Sequence, residues 1–274
     1  MDKLLELVRD PKIADIATSE RLLANSKISN VGMLERLIGS SKIRDAKMLE
    51  DLLASSKMPH GAVLERLLNN SKLADGEALL RLLSSSKVNS AVQIERLLNS
   101  TKIVDSVMVE RLLAHANIQD AKMLEDLLRH PGLPDGATLE HLLDNPDLAQ
   151  LPGSRGPVAA HEPPGHLPSK HIGQTDTQLV ARLAAEPSIP AASTFTSAAD
   201  ADAGVAAALR QNGPQLWKWL ASGPSGALEL TGTFSGGSVL LRGAAATTPG
   251  TGVTIIFRSL SGGGWFILTG FPIP

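Results

Sequence analysis

The sequence predicts a protein of two dissimilar parts, an all-α solenoid in the N-terminal half and an α+β domain in the C-terminal half. A repeat of 15 residues fills residues 1–150, and strand-like runs separated by glycine-rich turns fill the last quarter of the chain. No Phe, Trp or Tyr precedes Phe195, while all three Trp and all five Phe lie from that residue onward. The two parts therefore bury different kinds of core.

Lysine marks the repeat of the N-terminal half, because it recurs at a fixed interval and an aliphatic residue follows it each time. The lysines are Lys12, Lys27, Lys42, Lys57, Lys72, Lys87 and Lys102. The string AKMLEDLL occurs at 46–53 and again at 121–128, which is five units later. Because five is odd, the sequence unit is 15 residues long and is not a 30-residue hairpin.

Each unit is predicted to form one short helix. A continuous helix is excluded because Ile43 would point away from the leucines of its own unit, and because prolines beside the lysine positions would each cost about 3 kcal/mol. The sequence instead predicts helices such as Ala46–Ala54, N-capped by Asp45, with Ile43 filling the seam between consecutive helices. Isolated helices of this length are marginal in water, so they are expected to stack on their neighbours as a solenoid.

The function of the repeat array has two interpretations. It is either a spacer or scaffold, or a docking surface for a partner or for export machinery, and the repeats themselves carry no motif for chemistry. Its histidines occupy different positions in their units, with no spacing typical of metal ligands.

A proline-rich stretch separates the two parts. The sequence predicts a repeat array over residues 1–150, a Pro/Gly-rich linker over 151–164 that is extended and semi-rigid, and a folded domain over 165–274. His161-Glu162 with His166 does not form a zinc motif, because the spacing is one residue too long and two prolines exclude the required helix. Neither a metal nor a cofactor is predicted.

The stretch Lys170–Leu183 organises the C-terminal domain. Thr175-Asp176-Thr177-Gln178 is typical of a capping box, in which the Thr and Gln side chains satisfy free amides at the start of a helix. Leu179, Val180 and Leu183 follow at helical spacing and are predicted to form one buried face. His171 precedes this helix and Arg182 borders its apolar face, so an imidazole, a guanidinium and a helix N-terminus are expected to converge on one phosphate.

The remainder of the C-terminal domain is predicted as helices followed by an antiparallel meander. The helices cover 197–211 and 215–220, and the strands cover 227–234, 238–244, 252–258 and 265–271, after an irregular connection at 187–195. In the last strand, Trp265, Ile267, Thr269 and Phe271 are expected to share one face. A concave face of the sheet is expected to hold substrate.

The C-terminal motifs resemble a known family. His171-Ile172-Gly173, Thr175-Asp176, Leu179, Arg182-Leu183 and Ala191-Ala192-Ser193-Thr194-Phe195 occur in the order and spacing of the bacterial RNase A-like toxin domain. That domain is found at the C-termini of contact-dependent growth inhibition toxins and other polymorphic toxins. The resemblance covers residues 165–274 and implies an α+β fold with an antiparallel sheet.

The resemblance also implies an activity and its residues. The activity is a metal-independent endoribonuclease that cleaves RNA by attack of the 2′-hydroxyl and leaves a 2′,3′-cyclic phosphate. His171 would be the general base or acid, Arg182 would stabilise the phosphorane, and Thr269 would bond to substrate. His166 ranks second as an acid/base group. Phe271 replaces a family Tyr and lacks its hydroxyl, for which Ser259 is one substitute donor.

Partners and location follow from the same resemblance. RNA, with tRNA as one candidate, is the expected substrate, and a cognate immunity protein and a delivery partner on the repeat array are the expected partners. The start MDKLLELVRDPK has no signal-peptide core and no run is long enough to cross a membrane. Export by another route and action in the cytoplasm of a target cell are therefore expected. The alternative is a non-catalytic repeat scaffold or interaction protein that carries a degenerate toxin domain.

Overall fold

The structure, a computed structural model, describes residues 9–13, 15–261 and 264–274. Contacts between Cα atoms divide the chain into two compact units, of which the first comprises Met1–Leu128 and Asp135–Ala137. The second comprises Arg129–Pro134 and Thr138–Pro274. The first eight residues, on which the expected absence of a signal peptide largely rests, lie outside the described part.

The repeats form one short helix each, as predicted. The helices are α1 (Ile16–Ala24), α2 (Val31–Ile38), α3 (Ala46–Ala54), α4 (Gly61–Asn69), α5 (Gly76–Ser84), α6 (Ala91–Asn99), α7 (Ser106–Ala114), α8 (Ala121–Arg129) and α9 (Gly136–Asp144). Asp45 caps α3, because its Oδ1 accepts a hydrogen bond of 2.8 Å from the Met48 amide. Ile43 is buried at the predicted apolar position. The solenoid of single-helix repeats is thereby confirmed.

Alternate helices, rather than consecutive ones, make the closest contacts in this array. Helix α2 packs on α4, α3 on α5, α4 on α6 and α5 on α7. The lysine of each unit joins such a pair: Lys27 Nζ donates to the carbonyls of Leu53 and Ser55 at 2.6 and 2.7 Å, and its own carbonyl accepts from the Gly61 amide at 2.8 Å. Consecutive helices such as α2 and α3 also contact one another, but less extensively, because the lysine reaches the helix end two units away.

The second unit continues with short helices and six strands. It contains two 3-10 helices (Leu148–Gln150 and Val158–His161), α10 (Leu167–His171), α11 (Asp176–Ala185), α12 (Ala198–Gln211) and α13 (Gly213–Ala221). The strands are β1 (Ala191–Thr194), β2 (Ala227–Thr233), β3 (Ser238–Leu241), β4 (Thr248–Pro249), β5 (Gly252–Ser259) and β6 (Trp265–Ile273). The α+β class with antiparallel pairing is confirmed.

The strands form two three-stranded sheets instead of one meander. One sheet has the order β1-β3-β4 and the other β2-β5-β6. The segment 187–195, predicted to be irregular, supplies β1, and β1 pairs with β3 over Ala191↔Leu241 to Thr194↔Ser238. The predicted hairpin between 227–234 and 238–244 is therefore absent, because β3 pairs with β1 and β2 pairs with β5.

Helix α11 rests on the first sheet by a narrower face than predicted. Leu179 and Leu183 are buried in a cluster with Ala192 and Leu240. Val180, expected on the same face, is 57% exposed. Residues 179 and 183 are one turn apart, whereas residue 180 lies about 100° further around the helix and faces away from the narrow sheet.

The segment 151–164 packs on the second sheet, although the sequence predicts an extended linker there. Leu151, Val158 and His161 are buried, and the Trp265 indole donates to the Pro152 carbonyl at 2.9 Å. Its prolines and glycines form short turns, and the 3-10 helix Val158–His161 packs against β6. The predicted functional boundaries at 150 and 164 stay a prediction.

Candidate active site

The short helix α10 ends at His171 and delivers its side chain to the centre of the second unit. The His171 carbonyl accepts from the Phe195 amide at 2.7 Å, and the Phe195 carbonyl accepts from the Gly173 amide at 2.9 Å. Gly173 has φ of 66°, a left-handed conformation that suits glycine and turns the chain away from the helix. The His-Ile-Gly motif thus ends one helix and fixes the imidazole beside β1.

The His171 ring is held as a neutral imidazole. It is only 3% exposed, and its Nδ1 lies 3.2 Å from the Ser193 carbonyl oxygen. Because a carbonyl can only accept, Nδ1 carries the proton and Nε2 keeps its lone pair. Burial lowers the pKa of His171 to about 3, assisted by the charge of Arg182 and opposed by the Ser193 hydrogen bond.

Arg182, in the last turn of α11, faces the same imidazole. Its Nη1 lies 3.4 Å from both ring nitrogens of His171, and its Nε lies 3.4 Å from Glu186 Oε1. That Nε is buried and makes no hydrogen bond within the described structure. The structure therefore brings His171 and Arg182 together, as the sequence predicts, and places the Glu186 carboxylate beside the same guanidinium.

The N-terminus of α11 does not join them. The Thr175 hydroxyl accepts from the Gln178 amide at 3.3 Å, and the Gln178 side chain accepts from the Thr175 amide at 2.8 Å. The predicted capping box is thus formed and satisfies these two donors itself. The expectation that the helix N-terminus shares one phosphate with His171 and Arg182 is wrong, because Arg182 lies at the opposite end of α11.

A bulge in β6 determines which side chains face the site. Phe257 pairs with Ile267 while Ile256 pairs with Thr269, which leaves Leu268 without a partner residue on β5. Residues that pair across strands share a face, so this one-residue shift reverses the alternation. Thr269 and Phe271 therefore lie on the face opposite to Trp265 and Ile267. The expectation that all four share one face is wrong.

Phe271 and Thr269 occupy different positions at the site. The Phe271 ring centroid lies 5.4 Å from that of His171. Thr269 is 8% exposed, and its Oγ1 has no hydrogen-bond partner among the described residues. Ser259 pairs with Trp265, six residues and about 20 Å along β6 from Phe271, so it cannot replace a hydroxyl at Phe271.

His166 approaches from the other side of His171. Its ring centroid lies 6.4 Å from that of His171, and its backbone amide donates to the Leu268 carbonyl at 2.8 Å. Burial lowers the pKa of His166, and the charges of Lys170 and Arg182 lower it further. A second imidazole thus lies near His171.

A pocket of about 380 Å³ opens at this point. Its polar lining comes from His171, Arg182 and Ser193, and its remaining wall is mostly apolar, with Ile189, Leu241 and Phe271. Neither Thr269 nor His166 lines this pocket. The site therefore pairs one cationic and one basic group with an apolar wall.

Arg242 stabilises the segment that forms the apolar wall of the pocket, and the sequence did not single it out. Its Nη2 donates to the carbonyls of Leu183 and Glu186 at 2.9 and 2.8 Å, and its Nε donates to the Ile189 carbonyl at 3.0 Å. These carbonyls end α11 and begin the wall. The residue lies within the predicted strand 238–244 and just after the observed strand β3, with no motif around it, so only the tertiary structure shows its role.

Two kinds of feature are absent from the part of the chain that the structure describes. No group of three or more His, Asp or Glu side chains there is arranged to hold a metal ion. No helix among the described residues is long and apolar enough to cross a membrane.

Comparison with known proteins identifies the C-terminal segment. Residues 165–272 match the family model described as "Bacterial CdiA-CT RNAse A domain". A solved structure, the CdiA-CT/CdiI complex from Y. kristensenii, is 28% identical, with 40% of this chain and 100% of that chain covered and a TM-score of 0.35. No curated protein matches the chain. The resemblance to a ribonuclease toxin domain of contact-dependent growth inhibition is thereby confirmed for this segment.

Proposed function

We propose, from the match of residues 165–272 to the bacterial CdiA-CT RNase A domain, that this chain is a toxin whose C-terminal domain cleaves RNA without a metal ion. One observation carries the proposal. The buried His171 imidazole has an unprotonated Nε2, and Arg182 Nη1 lies 3.4 Å from it beside a pocket. A base beside a fixed cation is what attack of a ribose hydroxyl on a phosphodiester requires.

His171 is the proposed general base. Its Nε2 takes the proton of the 2′-hydroxyl, whose oxygen attacks phosphorus, and the bond from phosphorus to the 5′-oxygen of the next nucleotide breaks. The products are a 2′,3′-cyclic phosphate and a 5′-hydroxyl. The low pKa of the free site keeps His171 unprotonated at neutral pH. A bound phosphate offsets the Arg182 charge and raises that pKa, so the base becomes stronger once substrate is present.

His166 is the proposed acid that protonates the leaving 5′-oxygen. The two ring centroids lie 6.4 Å apart, so a phosphate that contacts His171 would be near His166 as well. Its pKa is lowered in the free site, so a bound phosphate is needed to keep it protonated near neutral pH. His166 is thereby proposed as the second acid/base group, the role for which it ranks second in the sequence.

Arg182 and Thr269 are the proposed stabilising groups. Nη1 of Arg182, which faces His171, can donate to a phosphorane oxygen. The unpartnered Thr269 Oγ1 is free to bond to substrate after a local adjustment, since the residue lies two positions from Phe271 on β6. An unsatisfied buried hydroxyl costs free energy, which a substrate contact would recover.

The proposed setting is growth inhibition between bacteria. RNA, with tRNA as one candidate, is the substrate in the cytoplasm of a target cell, and an immunity protein protects the producing cell. The solved relative is named as a CdiA-CT/CdiI complex, which is the basis for proposing a partner of that kind here. The repeat array is proposed as the part that contacts the delivery machinery.

A non-catalytic interaction protein is the rival function. Two observations favour it: Phe271 lacks the hydroxyl of the family Tyr, and His171 is 3% exposed. A domain that has lost catalysis could keep its fold and bind RNA or protein alone.

RNA cleavage by the full chain tests the proposal. We expect wild type to release 2′,3′-cyclic phosphate ends in excess chelator, and His171→Ala to reduce the rate by at least about 10³-fold. His60→Ala is the matched control, because His60 is an exposed histidine of the repeat array. Undetectable cleavage by wild type would support the non-catalytic rival, whereas equal measurable rates for wild type and His171→Ala would remove His171 from the reaction.

A further inference from the structure

The bulge in β6 interrupts the pairing of this strand with β5, so other contacts must fix its register. Leu268 has no partner residue on β5, and β6 is an edge strand of its sheet. A strand with an unpaired edge can slip by one residue, and a slip of one residue moves every side chain to the other face. A slip at this bulge would turn Thr269 away from the proposed site.

The segment 151–166, here named the strap, covers that edge before the bulge and at it. Before the bulge, the Ile267 amide donates to His161 Nδ1 at 3.1 Å. At the bulge, the Leu268 carbonyl accepts from the His166 amide at 2.8 Å. The Trp265 indole donates to the Pro152 carbonyl at 2.9 Å. The bonds to the Ile267 amide and the Leu268 carbonyl take the place of main-chain bonds that a neighbouring strand would make, and the indole bond adds a side-chain contact.

His161 is the side chain that anchors the strap. It is 1% exposed, and its ring stacks on Trp265 with centroids 5.5 Å apart and planes at 20°. Since Nδ1 accepts from Ile267, Nε2 carries the proton and donates to the Gly156 carbonyl at 3.1 Å. One imidazole therefore joins a turn of the strap to the strand at the bulge.

Close approach of the strap depends on Gly165. A Cβ at this position would overlap the Ile267 carbonyl oxygen and lie 2.9 Å from the His161 carbonyl oxygen. The Gly165 amide also donates to that His161 carbonyl at 3.0 Å. The chain from His161 to His166 is thus one folded turn, pressed against β6.

We propose that His161, which precedes the family-matched segment 165–272, is a positioning residue for the RNA-cleaving site. It fixes the register of the β6 bulge and thereby the positions of Thr269 and His166. The proposal rests on the proposed function for its catalytic consequence. It also makes the strap part of the catalytic domain and not a linker to it.

Substitutions of His161 in the full chain test the two hydrogen bonds separately. His161→Phe keeps a ring on Trp265 and removes both bonds. His161→Asn places an Oδ1 acceptor near Nδ1, and His161→Gln places a donor near Nε2 without that acceptor. We expect His161→Phe and His161→Gln to lower kcat by about tenfold or more with KM within about threefold, and His161→Asn to restore most of kcat.

Hydrogen exchange of the Ile267 amide is the readout that does not depend on catalysis. We expect this amide to exchange at least about tenfold faster in His161→Phe and His161→Gln than in wild type or His161→Asn. His60→Phe in the repeat array is the matched control and should change neither exchange nor kcat. If His161→Phe does not fold, as judged by tryptophan fluorescence, the comparison of His161→Asn with His161→Gln still tests whether His161 positions the bulge.

The outcomes separate this inference from the proposed function. Wild-type kcat or wild-type Ile267 exchange in a folded His161→Gln would overturn the positioning role, whatever the wild type does to RNA. Absence of cleavage by wild type would overturn the proposed function, while the exchange data alone would still decide whether His161 fixes the bulge.

Discussion

Arg182 Nη1 lies 3.4 Å from both ring nitrogens of His171, so a permanent cation and a neutral imidazole share one buried site. The charge of Arg182 disfavours the imidazolium and is one cause of the low pKa of His171. A bound anion would offset the charge of Arg182, so the pKa of His171 should respond to one.

The first prediction concerns this pair. Arg182→Gln should raise the pKa of His171, because it removes the nearby positive charge while burial remains. Inorganic phosphate should raise it in wild type and have little effect in Arg182→Gln. Titration of the His171 Cε1 proton by NMR measures both changes, with Arg210→Gln as control. An unchanged His171 pKa in Arg182→Gln would show that burial alone sets it.

The second prediction concerns acid stability. A histidine in the unfolded chain binds a proton below about pH 6.5, whereas folded His171 does so only near pH 3, so between these values the unfolded state holds more protons. Stability should fall as pH drops from 6.5 toward 3. At about pH 4.5 the contribution of His171 is roughly 2–3 kcal/mol.

Tryptophan fluorescence measures this loss in the second unit alone, because Trp217, Trp219 and Trp265 all lie there. Urea midpoints at neutral pH and near pH 4.5 should differ less in His171→Asn than in wild type. Burial also lowers the pKa of His161, which should leave part of the acid sensitivity in that variant. Equal sensitivity in both proteins would contradict the assignment to His171.

The third prediction concerns Arg242. Arg242→Lys keeps the charge but cannot reach the Leu183, Glu186 and Ile189 carbonyls together, so it should lower the free energy of unfolding by about 1–2 kcal/mol. Urea denaturation followed by tryptophan fluorescence measures it. Arg258→Lys, an exposed arginine on β5, is the control and should change stability by less than about 0.5 kcal/mol.

The fourth prediction concerns Phe271. Its ring lies 5.4 Å from His171 and lines the pocket, so Phe271→Tyr adds a hydroxyl donor near the proposed phosphorane. We expect RNA cleavage to accelerate by up to about 10²-fold, with stability changed by less than about 0.5 kcal/mol. Cleavage rates of wild type and variant check this. Equal rates would show that a hydroxyl at this position does not reach the transition state.

The fifth prediction concerns the lysine contacts of the repeat array. Lys57 Nζ donates to the Ser85 carbonyl at 2.7 Å, two units further along the chain. Lys57→Met keeps the aliphatic stem and removes this bond, so the free energy of unfolding should fall by roughly 1–2 kcal/mol. Circular dichroism should show this as a lower melting temperature. Lys47→Met, in an exposed pair with Asp51, is the control. Equal melting of the two variants would contradict a stabilising role for Lys57.

Local patterns in the sequence predicted the elements and parts of the site. Period, capping residues and glycine turns located the repeat helices and four of the strands, since these signals act within a few residues. The approach of His171 to Arg182 follows from motif spacing. The β6 bulge did not follow, because it depends on what covers the strand edge. The strap was misread as a linker for the same reason: its prolines indicate extension, while its burial depends on Trp265, more than 100 residues away.

Because alternate repeat helices contact each other, the array consists of two interleaved sets, the odd-numbered and the even-numbered helices. Odd and even helices form separate columns, joined within each column by lysine bonds such as those from Lys27 to Leu53 and Ser55. Insertion of one 15-residue unit would move every later helix into the opposite column, whereas insertion of two would return each to its own. Lengths that change in steps of two units therefore preserve the side on which any surface residue is displayed.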